Sequence, residues 1–337
     1  MIAVVMLTLL LLLACGTAVP DPVQVAAPTP AAARPQVFAH RGASGHRPEH
    51  TLGSYRLAGE QGADFIEPDL VLTSDGHLIA RHDLDLGPST DVATRFAERR
   101  VTRPVEGAPL EAWFADDFSL AEVRTLAARQ SRADRPHVYD GAEGVPTWPE
   151  ILAFAEQTGA SLVPELKHPS YLRSRGLDPV APFLAALRAS AVPSSRVWVQ
   201  CFEPGPLREL RAQTDLRLVQ LVGDPSASPP DGGPTYGAML TPDGLARVAT
   251  YAHAIGVWKH HLLPLDADGK YLPATSVVTD AHAVGLEVHV YTFRDEPDAR
   301  PAADATASDE LRRYYALGID AVFADHPDTA VAARAGR

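Results

Sequence analysis

From Val37 onward the chain alternates short runs of β-branched and aromatic residues with amphipathic stretches rich in Ala, Leu and Arg. The runs VFAH (37–40), DFIEPDLVL (64–72), SLVPELK (161–167), VWVQCF (197–202), LRLVQLV (216–222), GVWKHH (256–261), EVHVYTF (287–293) and AVFAD (321–325) have the length and residue types of buried strands. Helical periodicity fills most of the gaps, over 51–61, 179–189, 206–212, 243–254, 274–284 and 308–317. Strand and helix repeated in this way predict a parallel sheet with crossover helices. Eight such units, which take about 250 residues or more, make a (β/α)8 barrel of the TIM type. A doubly wound sheet is the alternative, because no internal repeat marks the units.

The alternation breaks once. Between Leu72 and Ser161 a hairpin-like TSDGHLIARHD, with Asp75-Gly76 as its turn pair, leads into a polar stretch much longer than an ordinary βα connection. This predicts an insertion after the second strand, over about 84–160, with short helices of its own such as SLAEVRTLAA (119–128).

With 46% hydrophobic and 21% charged residues, the 337-residue chain can bury a full core. Its formal charge of −12 argues against a nucleic-acid-binding protein, which displaces counterions with a basic face. The first fifteen residues, MIAVVMLTLLLLLAC, form an apolar run too short to span a bilayer comfortably and read as an export signal. Leu12-Leu13-Ala14-Cys15 resembles the lipobox of bacterial lipoproteins. That implies a lipid anchor on Cys15 and a domain tethered to a membrane at the cell surface or in the periplasm, a simply cleaved signal peptide being the alternative. Residues 16–36, rich in Pro and Ala without periodicity, suit a disordered tether, and the folded domain takes up 37–337. With Cys15 lipidated, Cys201 has no partner for a disulfide.

In a parallel barrel the loops after the C-terminal ends of the strands converge on one face, where chemistry sits. His40-Arg41 closes the first strand, Glu67 and Asp69 lie on the second, His82-Asp83 follows its hairpin extension, and Glu165 and Lys167 close the third. Residues two apart on a strand point the same way, so Glu67 joins Asp69 and Glu165 joins Lys167. Three converging carboxylates repel one another unless a cation lies among them, and oxygen-only donors favour Ca²⁺ or Mg²⁺. Imidazole titrates near neutral pH, so His40 and His82 suit a base and an acid across a phosphorus centre. Arg41 offers a planar fork to a phosphate and Lys167 a point charge. Together these groups describe phosphodiester cleavage better than other common reactions. Phe202, Trp258, Tyr291 and Phe293, at strand ends, are candidates for a substrate wall or for barrel core.

The segments HRGASGHRPEHT, GADFIEPDLVLTSDGHLIARHD and PELKHPSY, in that order, resemble the glycerophosphodiester phosphodiesterase family, particularly its exported bacterial branch. The likeness continues through TDVATRF, WFADDFSLAEVRTL, VQCFE, VYTFR and GIDAVFADHPD. It implies a (β/α)8 barrel with an insertion after the second strand. It also implies metal-dependent hydrolysis of small glycerophosphodiesters to glycerol 3-phosphate and an alcohol. His40 and His82 would be the acid/base pair, Arg41 and Lys167 the phosphate binders, and Glu67, Asp69 and Glu165 the ligands of a divalent cation, Ca²⁺ in first place and Mg²⁺ as the alternative. Glu49 would orient its neighbours or help cap the helix after Thr51. His50 stands where the family more often has Asn, and the stretch around Gly87 and Pro88 departs from its pattern. The alternative substrate is a larger surface phosphodiester, such as wall polyglycerolphosphate or a lysophospholipid. The non-enzymatic alternative is a lipid-anchored binding protein.

Overall fold

The structure is a computed structural model that describes residues 34–336; the expected export signal, Cys15 and most of the tether lie outside the described residues. Its strands are β1 (Gln36–His40), β2 (Phe65–Glu67), β3 (Asp69–Leu72), β4 (Leu78–Ala80), β5 (Val101–Val105), β6 (Ala108–Ala112), β7 (Glu165–Leu166), β8 (Trp198–Cys201), β9 (Arg217–Val222), β10 (Ala254–Trp258), β11 (Glu287–Phe293) and β12 (Ala321–Ala324). β1 pairs in parallel with β2 on one side and β12 on the other, and the ladder runs on through β11, β10, β9, β8 and β7 to β3. Only Pro68 separates β2 from β3, so the two ends of the ladder are one stretch of chain and the sheet closes on itself as an eight-stranded parallel barrel.

Proline shapes two of the barrel strands. Pro68 and Pro164 have no N–H for the ladder, so the second strand is split and the third keeps only Glu165–Leu166 as regular strand. Upstream of Pro164 the third strand holds on through an isolated bridge between Ile66 and Leu162 and the Val163 N–H to the Ile66 carbonyl at 2.9 Å. β4 folds back antiparallel on β3 around the Asp75-Gly76 turn, as its residues predict.

Side-chain alternation sorts the strands into two surfaces. One set, including Phe38, Phe65, Val163, Trp198, Val219, Leu221 and Phe323, packs together inside the barrel. The other, including Val37, Ile66, Leu218, Val257 and Val322, packs outward in the core shared with the helices.

Five features differ from the sequence pattern. The sixth strand is Ala254–Trp258 rather than 256–261. Lys259 turns inward to bond Glu310 at 2.8 Å, and the one-turn helix Lys259–Leu262 takes His260 and His261 out of the strand. The helix before it, expected to reach 254, ends at Val248. In the interval after the second strand, the helix expected over 119–128 is only Leu120–Val123, closed at its start by a Ser119/Glu122 capping box. The same interval holds an unforeseen hairpin, β5–β6, and an unforeseen helix, Trp148–Thr158, capped by Thr147 and Glu150.

Candidate active site

The alternation that builds the barrel core also builds the site. Two residues beyond Phe38 comes His40, two beyond Phe65 comes Glu67, two beyond Val163 comes Glu165, two beyond Trp198 comes Gln200, and two beyond Phe323 comes Asp325. An apolar floor thus carries a polar layer at the C-terminal mouth. His40, Arg41, Glu67, Glu165 and Lys167 line a cavity of about 290 Å³ there, and His82 joins them from the end of the β3–β4 hairpin. Gln200, Phe202, Tyr291 and Arg294 complete much of its wall.

The loop after β1 is shaped for this. Arg41 has left-handed backbone (φ 59°), and Gly42 follows at φ 85°, where a Cβ would lie 2.4 Å from Ser54 Oγ. Only glycine fits. The turn sends the Arg41 N–H to Glu67 at 2.8 Å and its guanidinium to Glu49 at 3.2 Å. Thr51 then caps the helix Leu52–Glu60 by accepting from the Ser54 N–H. Among the described residues, the non-glycine positions with positive φ are Arg41, His50, Glu106 and His168. Such backbone persists only where the surrounding structure over-determines it.

Both histidines are held by carboxylates. His40 Nδ1 lies 2.6 Å from Asp325, which Arg135 and Arg294 hold in turn; His82 Nδ1 lies 2.7 Å from Asp83. Each pairing fixes the ring and leaves Nε2 as the nitrogen free to exchange a proton. Burial, then Arg41, lowers the His40 pKa against the pull of Asp325. Burial, with the charges of Lys167 and Arg41, pushes His82 down to about 4. Unfolding returns His82 toward 6.5, so the unfolded chain binds more protons between those values and the folded state loses stability as pH falls. Wild-type protein is therefore expected to lose stability relative to His82→Ala as pH drops from about 6.5 to about 4. Urea unfolding across that range checks this, and parallel curves would contradict it.

Glu67, Asp69 and Glu165 are all buried and each places a carboxylate oxygen within 4.8 Å of the others. Glu67 accepts from the Arg41 N–H and from Gln200 Nε2 at 3.1 Å; Asp69 accepts from His50 at 3.0 Å; Glu165 meets Lys167 at 3.0 Å. Burial, and then the charges of Asp69 and Glu165, drive the Glu67 pKa well above the usual carboxylate range. Burial and Asp69 push Glu165 up to about 8 even with Lys167 beside it. Burial would also raise Asp69, but Lys167 and His50 outweigh it and hold it well below. Asp69 Oδ1 is buried with no hydrogen-bond partner. Three crowded oxygen donors, two resisting ionisation and one with an orphaned oxygen, fit a hard divalent cation.

Glu49 supports Arg41 rather than the helix cap. Burial would raise its pKa, but Arg41 and its neighbours hold it at about 2, and Ser131 donates to it at 2.9 Å. His50, in place of Asn, is fully buried between Tyr55 and Asp69. Of the four candidate wall aromatics, Phe202 and Tyr291 line the cavity. Trp258 lies exposed on the rim against His260, and Phe293 is buried against Tyr314, so neither belongs to the wall. A register shift in β11 between Val290 and Phe293 turns Phe293 away from the interior. Sequence reasoning missed Gln200 and Asp325, which the same two-residue alternation would have found. It also missed Arg135 and Arg294, which lie in connections without periodicity.

Residues 40–329 match the glycerophosphoryl diester phosphodiesterase family. The chain belongs to that family. A glycerophosphodiester phosphodiesterase of Arabidopsis thaliana (GDPD6) is 31% identical over 281 residues, covering 78% of this chain and 75% of that protein. A glycerophosphodiester phosphodiesterase of Haemophilus influenzae is 29% identical over 335 residues, covering 88% of each. Among solved structures, a phosphodiesterase of Oleispira antarctica in complex with the product sn-glycerol-3-phosphate superposes with a TM-score of 0.62 at 25% identity, covering 89% of this chain and 96% of that one. The fold is accordingly the TIM barrel of the glycerophosphoryl diester phosphodiesterases, and the protein is an enzyme of that class.

Proposed function

We propose that the protein hydrolyses glycerophosphodiesters to glycerol 3-phosphate and an alcohol, with His40 and His82 as the acid/base pair. The observation that carries this reading is the cavity itself: two carboxylate-held imidazoles, Arg41, Lys167, Glu67 and Glu165 line one hollow, with Asp69 buried beside the two glutamates, in a chain of this family. Glu67, Asp69 and Glu165 would hold a divalent cation, with Ca²⁺ favoured, and when bound it would offset negative charge developing on the phosphate. Arg41 and Lys167 bind the phosphate oxygens and orient the diester. Among the described residues no Ser or Cys side chain is hydrogen-bonded to the His40 or His82 ring, which leaves water or the substrate itself to attack, and the substrate's own hydroxyl is taken as the attacking group. One imidazole Nε2 takes the proton of the glycerol 2-hydroxyl as its oxygen attacks phosphorus, and the other gives a proton to the departing alcohol. Water then opens the resulting cyclic phosphate with the two imidazoles in exchanged roles. Asp325 and Asp83 steady the imidazolium forms.

Attack from within the substrate has a high effective molarity, so blocking it is costly. A substrate whose 2-hydroxyl is replaced by methoxy is expected to bind but to turn over at least about a hundredfold more slowly. Equal rates would mean that water attacks directly, and the internal step would fall. The same reading keeps export with a lipid anchor on Cys15, supported by the apolar run that ends at Ala14-Cys15.

A further inference from the structure

Beside the reaction cavity lies a larger hollow of about 790 Å³, and His82, Glu165, Lys167 and Phe202 line both. The smaller cavity sits at the lower limit for ligand pockets, about 300 Å³, whereas a phosphodiester carries an alcohol on the far side of phosphorus from its glycerol. The larger hollow opens where His82 stands, beside the phosphate-binding Lys167.

The chemistry of its wall is one-sided. Glu106, Glu203 and Asp224 line it together with the rings of Phe202 and Tyr236. Its one Lys or Arg, Lys167, is paired with Glu165 at 3.0 Å. The Lys167 ammonium lies 5.8 Å from the Phe202 ring centre, so that ring already faces a positive charge. Glu203 is engaged by the Ser170 N–H at 3.0 Å and its hydroxyl at 2.5 Å. Glu106 and Asp224 remain as the carboxylates toward the opening, both more acidic than usual: a hydrogen bond from His168 holds Glu106 down, and hydrogen bonds from Ser226 hold Asp224 down.

Glu106 has an unusual seat. It sits at the tip of β5–β6 with φ 49°, followed by Gly107 at φ 83°, a turn in which Asn, Asp or Gly is the ordinary first residue. His168, itself left-handed at φ 48°, bonds it at 2.9 Å and ties the hairpin tip to the loop after β7. The hairpin that lengthens the interval after the second strand thus delivers a carboxylate to the edge of the hollow.

We propose that this hollow receives the departing alcohol and selects a positively charged one, a protonated or quaternary amino alcohol. The inference rests on the proposed function above. The test is kcat/KM of the purified protein for glycerophosphoethanolamine and glycerophosphocholine against neutral glycerophosphoglycerol, each read as glycerol 3-phosphate released. The two cationic substrates are expected to be preferred by roughly tenfold at low ionic strength, the scale of one partly desolvated cation contact, and less in about 0.5 M salt. Glu106→Gln with Asp224→Asn is expected to remove most of that preference, and Glu106→Lys to reverse it. Equal kcat/KM for all three substrates, or a preference that Glu106→Lys leaves intact, overturns the subsite alone. No hydrolysis of any of them overturns the proposed function and the subsite with it.

Discussion

Stripping divalent cations from the protein with a chelator is expected to lower turnover of a glycerophosphodiester by roughly a thousandfold or more, since charge stabilisation at phosphorus is worth several kcal/mol. Glu67, Asp69 and Glu165 are buried side by side, and the protein charges that partly neutralise them, Lys167 and Arg41, also face the phosphate site. Without a cation, the rise in the pKa values of Glu67 and Glu165 records their burial first and then repulsion from the neighbouring carboxylates. Ca²⁺ is expected to restore the wild-type protein and not Asp69→Ala. Binding only to the folded state would also raise the thermal midpoint of the wild type with Ca²⁺ concentration, a readout independent of turnover. Full activity in excess chelator would remove the cation from the account.

The histidines carry the second large effect. His40→Ala and His82→Ala are each expected to lower kcat by roughly a hundredfold or more, the usual scale for a positioned acid or base. The double variant should fall little further than the worse single one, because both proton transfers belong to one displacement. Structural losses are distinguishable. His40 anchors Asp325, itself bonded to Arg135 and Arg294, so His40→Ala should disturb a buried charge cluster, whereas the partly exposed His82 pairs only with the surface Asp83. A kcat loss in His82→Ala at unchanged KM and intact fold would therefore isolate the chemical role. Near-normal kcat in either variant would make that histidine structural.

The barrel was readable because strands covered on both faces are continuous apolar runs. The strand-end rule led to His40, Glu67, Asp69, Glu165 and Lys167, since interior alternation puts an apolar residue two positions before His40, Glu67 and Glu165 and carries Asp69 and Lys167 two positions further on. It failed where the backbone departs from simple pleating. The shift in β11 puts Phe293 in the outer core, and the inward turn of Lys259 ends β10 at Trp258. β5–β6 stayed hidden because its strands are mostly exposed and lack apolar alternation, and because Glu106-Gly107 hides a turn usually signalled by Asn-Gly. The helix Trp148–Thr158 did carry a legible start, Thr147 with Glu150, inside an interval otherwise without strand punctuation. Arg135 leaves no local trace: its partners Asp325 and Glu296 lie far along the chain.

The most direct measurement of the central claim is phosphorus NMR of purified protein with glycerophosphoethanolamine and Ca²⁺, which reports which ester bond to phosphorus is broken. The account predicts that the diester signal is replaced by glycerol 3-phosphate as ethanolamine is released, and roughly a hundredfold or more slowly in His82→Ala than in wild type. Accumulation of phosphoethanolamine with free glycerol, or a diester signal that persists unchanged, would contradict it.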